Sequence, residues 1–172
     1  MGLGVIRENF TSADWSNQIS TLTQTLTEKS DAIFIGTITK RDSQITFAGN
    51  FLFSDYVVRL ENVIKSDNKE LAVGNDIVVT SLGGKILLDG VELIADDSAY
   101  PNLEIGKKYL FFLSTIKVTN SYQPIESSTF LISQNKIKSI SNGPSIEEGK
   151  KLEDIIGEIY SVLADRADKS NE

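Results

Sequence analysis

The chain has 172 residues with no cysteine and no histidine, and its 24 acidic and 17 basic residues leave a formal net charge of -7. Disulfide and thiolate chemistry are excluded, together with the commonest zinc ligand and the commonest general base. The acidic balance opposes non-specific binding to nucleic acid or anionic lipid, because phosphate contacts need clustered Lys and Arg and the basic runs here are only pairs such as Lys107-Lys108.

Residues 1–11 read as a loose lead-in. They show no charged segment followed by a long apolar one, so no signal peptide is expected. No apolar run anywhere approaches the roughly 18 to 20 residues of a membrane span. Trp15, Ile19, Leu22 and Leu26 recur on one helical face and predict a helix over 12–29, capped by Ser12 or Asp14 and anchored by Trp15.

The stretch from Asp31 to Thr39 predicts a strand, with Gly36 marking a bulge or bend. Arg41 to Asn50 is polar and reads as a hairpin loop. Leu52, Tyr56, Val58, Leu60 and Ile64 share one parity while Asp55, Arg59 and Glu61 take the other, predicting a long half-buried strand. Ile77 to Thr80 reads as a short buried strand ending in a sharp turn at Gly83-Gly84. Asp89-Gly90 between apolar runs predicts a hairpin over Ile86 to Ile94.

Leu103 to Leu113 organises the rest. Its half from Tyr109 to Leu113 is apolar at every position, which implies burial on both faces. Gly106 marks the turn into that strand. Leu110 and Phe112 are expected to fill a barrel, or to divide between its interior and a terminal helix. Phe130 to Ile132 and Lys136 to Lys138 read as two more strands, with a further short one over Tyr122 to Ile125. Ser145 to Glu148 has the pattern of a capping box, and Leu152, Ile155, Ile156, Ile159 and Leu163 form a helical stripe, predicting a helix over 145–166.

These elements predict one α+β domain over 1–172, an antiparallel OB-fold-like β-barrel of about five to seven strands over 31–140 with both helices packed against it. Ser30 to Ile38, Val58 to Lys65, Val73 to Val79 with Gly83-Gly84, and above all Glu104 to Leu113 together resemble bacterial netrin-like or tissue-inhibitor-of-metalloproteinase-like domains. The resemblance spans about residues 22 to 140, implies a five-stranded OB-like barrel, and implies a place outside the cytoplasm or at the cell envelope. The animal inhibitors ligate a protease zinc through an N-terminal cysteine. This chain has none, so no inhibitory residue transfers.

The chemistry candidates are few. Asp96 and Asp97, with Asp89 and Glu92 nearby, could coordinate calcium through loop oxygens, although a solvated charge cluster has the same composition. Gly83-Gly84-Lys85 has neither P-loop spacing nor a following helix, and reads as a turn. Phe51, Phe53 and Tyr56 on one strand, and Tyr109, Phe111 and Phe112 on another, could stack bases on an oligonucleotide-binding barrel. The leading expectation is a non-enzymatic protein-interaction module, without cofactor and without nucleic acid. The alternatives are a metal-assisted enzyme using loop carboxylates and an oligonucleotide-binding domain.

Overall fold

The computed structural model describes residues 22–45, 51–143, 146 and 149–169. In chain order these form α1 (residues 22–29), β1 (Ala32–Ile45), β2 (Leu52–Ser66), β3 (Asp76–Leu82), β4 (Gly84–Leu88), β5 (Val91–Ala95), β6 (Lys108–Ile116), β7 (Ser121–Ser133), β8 (Lys136–Ser139) and α2 (Leu152–Lys169). The main sheet runs β3-β2-β1-β6-β7-β8, and β3 meets β7 again, so five of its strands close into an OB-like barrel. All neighbours in that sheet are antiparallel except the closing pair, which is parallel and consists of Val79 against Tyr122. The expected all-antiparallel barrel is thus a mixed one with a single narrow seam.

Strand periodicity sorts the apolar residues into two cores. Phe34, Ile38, Tyr56, Val58, Leu60, Val79, Phe111 and Leu113 fill the barrel. Ile33, Ile35, Leu110, Phe112 and Phe130 face outward and are covered by Leu26 of α1 and by Ile155 and Ile159 of α2. β6 therefore earns its central place by serving both cores, with residues 109–113 all buried. Leu110 and Phe112 do not point into the barrel, nor do they divide between interior and helix. Two residues apart on one strand, they share a face, and that face lies under the helices. Phe112 meets Phe130 edge to face at 6.0 Å.

Gly36 is required by close approach. A Cβ there would sit 2.5 Å from Val58 Cγ1 and 2.7 Å from the Arg59 carbonyl oxygen. The β1–β2 ladder shifts register beside it, between Ile35 and Gly36, and again between Ile33 and Phe34. The shift beside Gly36 skips Glu61 and reverses the parity of β2, so that Val63 packs on the barrel core and Ile64 on the helix-facing one, and the second shift leaves Ile64 without a direct partner on β1.

Several boundaries differ from expectation. β1 continues to Ile45, because its polar end, read as loop from Arg41, stays paired with β2 down to Leu52. The two strands expected between Tyr122 and Ile132 are one, β7, interrupted where Ser127 takes a φ of 55° and the Ser128 hydroxyl donates to the Phe112 carbonyl at 2.9 Å. β3 is buried on one face only, with Val78 turned to solvent. α2 begins at Leu152 rather than Ser145. Gly149, at a φ of 83°, breaks the helical path, and the Lys150 carbonyl accepts a hydrogen bond from Ile137 N at 3.1 Å in strand fashion. The capping-box residues Ser145 and Glu148 lie outside the described residues, as do Trp15 and Ile19.

The carboxyl end of α1 is tied down by Lys65, whose ammonium donates to the Thr27 carbonyl at 3.0 Å and also to that of Ser30. A cation there satisfies orphan carbonyls and the helix dipole. Partial burial, and then the positive charge of Arg166, hold the Lys65 pKa below its ordinary value.

Candidate functional site: an apolar groove and arm

β4 and β5 form a separate two-stranded sheet, an arm beside the barrel. Its turn is the expected one, with Asp89 and Gly90 both at positive φ (49° and 81°) as a tight primed turn requires. Its base is locked by glycine: a Cβ on Gly84 would fall 2.0 Å from Ser54 Oγ, and the Ser54 hydroxyl donates to the Gly83 carbonyl at 2.9 Å. Directly paired residues share a face, so Ile86, Leu88, Val91 and Leu93 form a wholly apolar face. Lys85, Leu87, Glu92 and Ile94 form the other. Leu87 is 71% exposed, Val91 60% and Ile94 51%. At the base of the arm, Ile86 and Leu93 adjoin Ile45, Phe51 and Leu52 around a small cavity of about 180 Å³.

Ile45 also borders a larger groove of about 560 Å³, which crosses the outer face of β1, β2 and β3 to the β6–β7 turn. Ile45, Phe53, Val78 and Ile116 supply apolar walls, and the lining holds one charged side chain, Asp55. Asp55 Oδ1 accepts from the Thr80 hydroxyl at 2.6 Å and Oδ2 from Gln44 Nε2 at 3.4 Å. Asp42 stands directly across the ladder from Asp55, and among the described residues neither carboxylate has an ion-pair partner.

Two other acidic groups on the barrel strands, Asp76 and Glu61, are already matched. The Arg59 guanidinium holds the Asp76 carboxyl below the usual carboxylate range. Partial burial pushes the Glu61 carboxyl up, but hydrogen bonds from Lys108 and Thr37 outweigh it and leave the group below its ordinary value. At one end of the barrel, Leu103 is a buried plug. Its N–H donates to the Tyr56 hydroxyl at 3.2 Å, and Glu104 N donates to the Tyr109 hydroxyl at 3.0 Å.

Asp96 and Asp97 lie in the loop after the arm, where both shape the backbone path. Asp96 accepts from the Asn102 side chain, and Asp97 Oδ1 accepts from Ala99 N at 2.8 Å in a local turn. Among the described residues, no group of three or more acidic side chains is placed to hold a metal. Glu92 is on β5 and Asp89 in the turn between β4 and β5. Gly83-Gly84-Lys85 leads into a strand. Of the aromatics considered for base stacking, Tyr56, Tyr109, Phe111 and Phe112 are buried, whereas Phe51 is exposed and lies 6.4 Å from the half-buried Phe53.

Thr80, Val78 and Ile116 were not singled out by sequence, and Asp55 entered only as one of the polar residues on the wet face of β2. The only available signal was the alternation at Ile77 to Thr80, where a strict period of two leaves Val78 and Thr80 outward. No protein-family model matches the chain, and no curated protein matches it. Among the described residues no helix is long and apolar enough to cross a membrane.

Proposed function

We propose that the protein is a non-enzymatic protein-interaction module whose contact surface is the β4–β5 arm together with the adjoining groove. The observation that carries this reading is the exposed apolar face of the arm. A two-stranded ribbon is marginal in water, and large contiguous apolar patches mark interaction sites. The groove continues that surface through Ile45. The resemblance to netrin-like and inhibitor-like domains supports an OB-like binding scaffold and a place at the cell envelope.

Site-specific photocrosslinking in the native host tests the proposal. A photoreactive residue at Val91, on the apolar face of the arm, should give one discrete adduct with a partner protein, while the same residue at the exposed Tyr160 of α2, outside both arm and groove, should give none. Identical patterns from both positions, or no adduct from Val91, would remove the arm from the contact surface. The oligonucleotide alternative has the exposed Phe51 beside the half-buried Phe53 in its favour, and predicts salt-dependent retention of single-stranded DNA.

A further inference from the structure

We infer that the groove seats an extended polypeptide segment of the partner, with apolar side chains on Ile45, Phe53, Val78 and Ile116 and a Lys or Arg between them paired with Asp55. The inference rests on the protein-interaction reading and adds the chemistry of the partner to it.

Charge is the first argument. The groove lining holds one acid and no base. Asp42 adds a second carboxylate directly opposite on β1, and like charges so placed destabilise a strand pair. Lys40 lies two residues along on the same side of β1, yet it makes no ion pair with either acid. The Asp55 side chain is oriented by two neutral donors, Thr80 and Gln44, which leave it with acceptor capacity to spare. A cation entering the groove would gain a positioned carboxylate and relieve the repulsion across the ladder. A phosphate backbone would meet that carboxylate with no basic side chain beside it, which is why nucleic acid is the poorer occupant.

Backbone availability is the second argument. β3 is paired with β7 at one position only, Val79 with Tyr122. On either side of that bridge β3 has no ladder partner toward β7 among the described residues, and Val78 and Thr80, which flank it, line the groove together with Thr119, Asn120 and Ser121. An extended segment can add to such an edge through its main chain, while alternate side chains enter pockets and set specificity. The groove volume lies within the range of pockets that enclose several side chains' worth of ligand.

The experiment screens the full chain against a positional-scanning library of extended octapeptides, with binding mapped by amide chemical-shift changes. The expected result is enrichment of Lys or Arg at one position flanked by Leu, Ile, Val or Phe, with shifts at Val78, Thr80 and Ile116. Asp55→Asn should weaken the selected peptide about tenfold or more while leaving the melting temperature near that of the parent protein. It should leave unchanged a control peptide in which norleucine replaces the basic residue. Asp55→Lys should move the preference to Glu or Asp at the same position. Groove binding with no basic preference, or a preference untouched by Asp55→Asn, would overturn the inference while leaving the interaction surface standing. Four other results would also overturn it: self-association abolished by Val78→Glu, seating of single-stranded DNA, seating of a cationic small molecule in preference to peptide, or no shifts in the groove at millimolar peptide.

Discussion

At the scale of single residues, glycine and tyrosine do the work that a sequence pattern only hints at. Gly36 has no positive φ to demand it, and its requirement is space: Val58 and the Arg59 carbonyl occupy the place of a Cβ. Gly36→Val should therefore destabilise by about 1–3 kcal/mol, as overpacking does, even though valine favours strands. Denaturant unfolding measures it, and a gain in stability would show that the ladder can absorb the side chain. Tyr109 offers a pH handle. Burial, and after it the charge of Glu104 and the neighbouring Tyr56, push its phenol above the usual value, against the hydrogen bond from Glu104 N. The unfolded tyrosine ionises first, near pH 10, so the folded state binds more protons there. The stability this group contributes is whole below about pH 10 and is lost as pH rises through the folded-state value. Tyr109→Phe should cost about 0.5–1.5 kcal/mol at neutral pH through the unpaired Glu104 N–H, and should flatten the alkaline fall. Tyr100 and Tyr122, raised chiefly by burial, will retain their own share of that fall.

At the scale of elements, the arm is separable and the barrel is not. Gly84 and Ala95 are direct partners at the base of the arm, so Lys85 to Ile94 can be replaced by Asn-Gly without stretching the chain. Cooperative unfolding and melting temperature should stay close to those of the parent protein, while the fluorescence of an apolar dye should fall. A large loss of stability would make the arm part of the barrel's structure. Element type was legible wherever one physical signal acted alone. The run from Tyr109 to Leu113, the Asp89-Gly90 turn and the stripe from Leu152 to Leu163 each state their structure locally. The polar end of β1 could not be read that way, because its pairing with β2 outweighs the loop-like composition of residues 41–45. The start of α2 misled for a related reason: apolar spacing shows a helix's face more clearly than its first residue. The groove was least legible of all. Its lining joins residues near 45, 55, 80 and 120 of the chain, which only barrel closure brings together.

At the scale of the whole molecule, two cores share one wall. β1 presents Phe34 inward and Ile33 outward, and β6 presents Phe111 inward and Phe112 outward, so neither core can loosen without moving the strands that frame the other. The outer core depends on the helices, since Ile155 and Ile159 are fully buried and α1 adds Leu26. An 18-residue helix is marginal on its own, and its stability comes from this docking. Phe112→Ala should cost about 3–5 kcal/mol, the sum of lost transfer and the cavity beside Phe130. Ending the chain after Gly143 removes Ile146 and all of α2, baring Leu110, Phe112 and Phe130 at once. The product should bind apolar dyes and lose sharp unfolding while keeping strand signal in the far ultraviolet. A truncated protein that remained monomeric and cooperatively folded would make α2 an appendage. In that case the Leu110 face would need another cover, and the barrel would have a second apolar surface to offer a partner.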